Sequence, residues 1–219
     1  MERFIVLDTE TTGLDVDSGH KIIEIGCIEI IGRSITENSF HKYINPQRLI
    51  DEKAYEVHGI SNEDLKDKPI FDDIIDEFAL YISDSPLIIH NAPFDLGFLK
   101  SEYIQSNHDD AALENSREII DTLKIARRAS PGKRNTLDAL CSRYSVDNTD
   151  RSLHGALLDA QLLANVYLRM TQGQTLIKGL SEAHVNKNHD RNTIIENRKA
   201  KIIYADTQEI EEHEKYFKN

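Results

Sequence analysis

Cysteine is scarce in this chain. Cys27 and Cys141 are its only thiols, and so distant a pair lacks any metal-ligand spacing, so a thiolate metal site is excluded. Buried thiols in a reducing compartment are expected. Long apolar runs are missing too. The first, inside MERFIVLD, is far too short for a signal peptide or an anchor, and no later run spans a bilayer. A cytoplasmic protein without membrane contact is expected. Cationic side chains are the minority, 26 Lys and Arg against 38 acids, for a formal charge of −12. That balance excludes a broad basic surface that coats nucleic acid, but not a local grip on one strand end through metal ions and a few contacts. The 219 residues allow one sizeable core and an appendage rather than two full domains.

The patterns that are present alternate between strand and helix. Phe4 to Leu7 is apolar, KIIEIGCIEI (Lys21 to Ile30) is rich in Ile, and FHKYI (Phe40 to Ile44) follows a turn containing Gly32. Three strands with short links predict an antiparallel meander. FDDIIDEFALYI then sets Phe71, Ile74, Ile75, Phe78 and Ile82 at helical spacing. PLIIH (Pro86 to His90) predicts a short buried strand, and Asn91 and Pro93 are start signals for the helix that follows it. EIID (Glu118 to Asp121) predicts another strand, and Thr136 caps a helix through Leu137, Leu140, Cys141 and Tyr144. HGALLDAQLLANVYLRM is the strongest helical pattern. This order predicts an α/β fold with a mixed sheet, antiparallel over its first three strands and parallel afterwards, with helices on both faces.

Beyond Met170 the chain becomes polar and aperiodic, as a linker would be, before KIIYADTQEIEEHEKYF offers a strand-like run and a helix with Asp206 and Glu209 at capping-box spacing. So short a tail buries no core of its own and is expected to fold by docking. The predicted division is 1–172, a linker 173–197 and a docking segment 198–219. KIARRASPGKRN gathers Lys124, Arg127, Arg128, Lys133 and Arg134; it reads first as a solvated loop and second as a guide for a DNA backbone.

IVLDTETTG raises the chemical question. Alternation puts Asp8 and Glu10 on one face of a strand, where two carboxylates repel each other unless a cation or a proton lies between them. Asp95 and Asp159 interrupt the apolar stretches PFDLGF and ALLDAQLL, and His154 precedes the last helix. Taken singly, an acid early in a helix is commonly a dipole partner or a cap. Taken together, these core-facing acids have no matching set of buried basic residues in the sequence. A hard, oxygen-seeking divalent cation would supply the charge.

DTETTG, HNAPFDLGFL and HGALLDA resemble, in order and spacing, the three motifs of the DEDDh 3′–5′ exonucleases, over residue 4 to about residue 172. VHGI at Val57 to Ile60 and PGKRNTLDALCSRY at Pro131 to Tyr144 are similar to the epsilon, proofreading branch of that family. The resemblance implies a ribonuclease H-like fold and hydrolysis assisted by two Mg²⁺ or Mn²⁺ ions. Asp8, Glu10 and Asp159 would hold the ion that binds the attacking water, Asp8 and Asp95 would reach the second, and His154 would be the general base. The substrate would be a single-stranded or frayed DNA 3′ end, met by Asp8, Thr9, Glu10, Thr11, Gly13, His58, Asn91, Phe94 and Asp159; core packing is an equal reading for Phe94. Lys53 stands where the branch carries a Glu. By the same resemblance, 198–219 would bind the alpha subunit of DNA polymerase III. QTLIKGL, from Gln174, would be a weakened sliding-clamp motif, its end altered by Lys178 and Gly179. RNA trimming on the same fold and a non-catalytic adaptor are the competing readings.

Overall fold

Ile5, Val6 and Leu7 are fully buried, because the strand that carries them is the middle one of five and is covered on both sides. A computed structural model describes residues 2–113, 117–149, 151 and 153–172. The expected linker and docking segment, and with them Gln174, lie outside the described residues.

The strands are β1 (Arg3–Thr11), β2 (Ile22–Ile31), β3 (Ser34–Tyr43), β4 (Leu87–Ile89) and β5 (Ile119–Asp121), in the spatial order β3-β2-β1-β4-β5. β1 pairs antiparallel with β2 and β2 with β3, whereas β4 runs parallel to β1 and β5 parallel to β4. This is the mixed sheet that the order of apolar segments predicts. Gly32 and Arg33, with φ of 54° and 71°, close the β2–β3 hairpin in the doubly positive turn that matches strand twist.

Helices α1 (Glu52–His58), α2 (Asn62–Leu65) and α3 (Phe71–Ile82) precede β4, and α4 (Ala92–Gln105) follows it; α5 (Thr122–Ala129), α6 (Leu137–Arg143) and α7 (Ala156–Met170) come after β5. Period-two alternation decides which strand residue meets which helix. Ile5 and Leu7 pack with Phe71, Ile75 and Phe78 of α3 and Leu96 and Leu99 of α4. Val6, Ile28 and Ile88 pack on the opposite face with Leu140 and Cys141 of α6 and Ala160, Leu163 and Val166 of α7. Both cysteines are free and buried, as expected. Among the described residues no helix is long and apolar enough to cross a membrane.

Three elements depart from the sequence reading. β3 starts at Ser34 rather than Phe40; it is an edge strand in which only Phe40 is buried, so its first half carries no apolar alternation. α1, which no apolar period announces, buries only His58. α5 buries only Thr122 and Ala126, so Lys124, Arg127 and Arg128 stand on a helix and not in a solvated loop.

The N-terminus of α7 lies directly on β2 at Gly26. A methyl group there would stand 2.3 Å from the Ala156 carbonyl carbon and the Leu157 nitrogen. Both are backbone atoms that cannot turn aside. Gly26→Ala should therefore lift the start of α7 and destabilise the fold by about 1–3 kcal/mol, the usual range for overpacking. Urea unfolding of the variant checks this; an unchanged midpoint would show that the helix start can yield.

Candidate active site

The alternation that buries Val6 on the α7 side carries Asp8 and Glu10 to that same side, while Thr9 turns toward α4. There Thr9 Oγ1 donates to Asp95 Oδ1 at 2.8 Å. Asp95 is 3% exposed in the first turn of α4, behind Asn91, which takes a left-handed conformation (φ 70°) to turn the chain out of β4. Asp159, also 3% exposed, lies in the first turn of α7. His154 lies on the segment entering that helix, exposed, with its backbone N–H donating to Val57 O at 3.1 Å.

Glu24, which sequence reasoning missed, fixes where α7 begins. It pairs in register with Glu10, and its Oε2 accepts the Ala156 N–H at 3.1 Å. Its Oε1 lies 2.7 Å from His41 Nε2. A buried carboxylate thus caps the helix whose first turn presents Asp159. The signal was an acid inside the Ile-rich run of β2, which also carries Glu29.

Three of the carboxyl groups crowded here, Asp8, Glu10 and Asp95, resist ionising. Burial raises Asp8 well above the usual carboxylate range, and the charges of Asp95, Asp159 and Glu10 add to the effect. Burial, then Asp159 and Glu24, pushes Glu10 from 4.5 to about 8. Burial lifts Asp95 from 3.8 to about 7, against the hydrogen bond from Thr9. Of these acids, Glu10 and Asp159 lie with His154 so that one ligand atom of each is within 4.8 Å of the others, a group that could hold a divalent cation; Asp8 and Asp95 line the same cleft outside that group.

A pH dependence follows from these shifts. Between the ordinary carboxylate range near 4.5 and about 8, folded Glu10 keeps a proton that the unfolded chain has released. In chelator, the stability contributed by Glu10 and Asp95 should therefore be fullest in acid and fall as pH rises to about 8. Saturating Mn²⁺ should flatten the decline, because the cation takes the proton's place. Melting curves against pH, with and without Mn²⁺, check this, and Glu10→Gln should remove part of the slope seen in chelator.

The expectation that the acids lack a buried basic partner is corrected by Arg151. Its side chain is 5% exposed, and its Nε and Nη2 donate to Asp159 Oδ1 and Oδ2 at 2.5 and 2.6 Å. Nη1 reaches Asp138 Oδ1 at 2.7 Å, and Nη2 lies 3.1 Å from His154 Nδ1. Burial opposes the charge on Arg151, but the hydrogen bonds and charges of Asp159 and Asp138 outweigh it and raise its pKa. Arg151 precedes its helix in a polar segment with no period, so its only signal was its nearness to His154.

These groups line one cleft of about 1240 Å³, which also takes in Thr9, Thr11, Gly13, His58 and Phe94. His90 lines the wall at the head of α4; Asn91, exposed beside it, does not. Phe94 faces the cleft and also packs on Phe98, ring centroids 5.0 Å apart, partly buried against the core. His58 is 5% exposed; its Nδ1 accepts the Ile60 N–H at 3.0 Å, and a backbone hydrogen bond with Thr11 favours its charged form while burial opposes it. Of the basic cluster, Arg127, Lys133 and Arg134 line the cleft, whereas Lys124 and Arg128 line a separate groove. Lys53 is on the cleft wall too.

Comparison with known proteins agrees with this geometry. The family model described as Exonuclease matches residues 5–167. The DNA polymerase III epsilon subunits of Salmonella typhimurium and Escherichia coli are each 47% identical over 220 residues, covering 97% of this chain and 90% of theirs. The solved structure of Exonuclease X with 5′-overhanging duplex DNA is similar at a TM-score of 0.60 and 28% identity, covering 78% of this chain and 92% of that one. The mixed sheet between two helical layers is the ribonuclease H-like fold of such exonucleases. The chain therefore belongs to the exonuclease family and, within it, to the epsilon subunits of DNA polymerase III, as a metal-dependent 3′–5′ exonuclease that proofreads.

Proposed function

We propose that this cleft removes mismatched nucleotides from a DNA 3′ end as 5′-monophosphates, with Asp8, Glu10, Asp95 and Asp159 as metal ligands and His154 as general base. The observation that carries it is the meeting of those five side chains in one cleft from β1, α4 and the start of α7. Two Mg²⁺ or Mn²⁺ ions would acidify the attacking water and neutralise charge at the phosphate. Asp8, Glu10 and Asp159 would hold one ion, and Asp8 would reach the second with Asp95, whose carboxylate accepts from Thr9 Oγ1.

His154 stands at the mobile end of this set, exposed and ahead of the helix, where it can follow a water. Burial and the Arg151 charge lower its pKa from 6.5, which favours the neutral ring a base requires. His58, on the cleft wall, would contact the sugar or phosphate of the terminal nucleotide. Thr9, Thr11 and Gly13 border that position, and Phe94 offers a ring face to a base. Asn91 turns the chain at the head of α4 and acts on the cleft through His90. Arg127, Lys133 and Arg134 give the strand entering the cleft a basic wall in an otherwise acidic chain.

With so little general attraction for DNA, the chain is delivered by its polymerase. Residues 1–172 form the exonuclease domain, 173–197 the tether, and 198–219 the segment that binds the alpha subunit. A sliding-clamp contact near Gln174 is weak. The working compartment is the cytoplasm.

The test is release of deoxynucleoside monophosphate from a mismatched 3′ end, with Mg²⁺ and with chelator. Preferential cleavage of RNA ends would instead assign the cleft to RNA trimming, and no cleavage with either metal would leave an adaptor. Loss of alpha binding on truncation at residue 197, with exonuclease activity kept, checks the docking segment.

A further inference from the structure

Arg151 presents a conflict. Both oxygens of Asp159 accept from its guanidinium, in the two-pronged geometry that holds a carboxylate most firmly. A cation coordinated by Asp159 needs at least one of those oxygens. At 2.5 and 2.6 Å the guanidinium takes one lone pair of each Asp159 oxygen and sets its positive charge beside any cation bound there. The two positive groups therefore oppose each other at this carboxylate. Arg151 also closes off the second functional group: a guanidinium only donates, so its Nη2, 3.1 Å from His154 Nδ1, takes the lone pair of that nitrogen.

We propose that Arg151 is a built-in counter-ion that competes with the divalent metal for Asp159, and that its departure frees Asp159 and His154 together. The inference rests on the assignment of Asp159 as a metal ligand.

Two features make the arrangement reversible. Asp138, more than half exposed, holds Nη1 at 2.7 Å and offers the displaced side chain an anchor outside the ligand set. Arg151 also lies on the segment before α7, outside regular structure, so it can swing while Asp159 stays fixed in the helix. The guanidinium keeps the buried carboxylate paired, which spares the fold an isolated charge. As a positioning residue, Arg151 links two events. The base is released when the metal arrives, and a cleft without metal holds a blocked base.

The experiment measures Mn²⁺ affinity by the EPR signal of free ion, beside melting in chelator, for the full chain and its variants. Arg151→Gln should bind the first Mn²⁺ roughly tenfold or more tightly, because no internal cation must leave. It should also melt lower than native protein in chelator, with the difference reduced by Mn²⁺. Asp138→Asn leaves the ligand set intact and removes only the anchor for the displaced guanidinium, so its Mn²⁺ affinity should fall by a few-fold; it serves as a second variant if Arg151→Gln fails to fold. A purely structural role predicts unchanged or weaker Mn²⁺ binding in Arg151→Gln and no change in Asp138→Asn, and that result overturns the proposal. Asp159→Asn separates the two levels. Undiminished Mn²⁺ binding there sinks the ligand assignment itself, whereas loss of binding there with no gain in Arg151→Gln sinks the counter-ion alone.

Discussion

Asp8→Ala is expected to lower release of 3′ nucleotides by on the order of 10³-fold or more, while leaving a folded protein, since a bound cation contributes several kcal/mol to charge stabilisation. Asp8 is the carboxyl group that feels Asp95, Asp159 and Glu10 together, from the middle strand between the helices that carry the first two. No other side chain in the cleft can take over its position. The effect on stability should have the opposite sign. Removing one of several mutually repelling carboxyl groups should raise the melting temperature in chelator near pH 8, where the crowded set is most strained. Activity and melting temperature measured on one preparation give the check. A variant that loses both is a folding mutant and says nothing of the metal; one that keeps its activity refutes the assignment of Asp8.

His154→Ala should reduce kcat by about 10²–10⁴-fold, the usual contribution of a positioned general base. Asp8, Glu10, Asp95 and Asp159 remain, so Mn²⁺ binding should persist in the variant. The pH profile is the sharper readout. The native rate should rise with pH as the imidazole loses its proton, at a pKa below 6.5, and then level off. In the variant that limb should vanish and leave the dependence of hydroxide alone. A loss of only a few-fold, with the limb intact, would assign the base to another group.

What the sequence revealed and what it hid follow from burial. α3 and α7 were legible because Phe71, Ile74, Ile75 and Phe78, and Ala160, Leu163 and Val166, repeat at helical spacing where they enter the core. Asp95 and Asp159 were legible because each breaks such a pattern with a charge. α1 escaped notice because it buries one residue and leaves no apolar period; α5 is amphipathic, but it is short, buries only two residues, and its charged face reads as a basic loop. Arg151 and Glu24 escaped for a different reason. Glu24 acts on the Ala156 amide, 132 positions away, and Arg151 reaches Asp159 and Asp138 from a segment without regular structure. Helical and strand periodicity records neither kind of partnership.

The placement of the acids on both sides of β1 has a consequence for the newly made chain. Asp95 rides on α4, which closes one face of the sheet, and Asp159 rides on α7, which closes the other and is the last element described. With the ligands proposed above, a nascent or partly opened molecule with either helix adrift would have an incomplete set. Cutting power would then switch on only once both helices had docked, and unfinished copies would spare the ends that replication depends on.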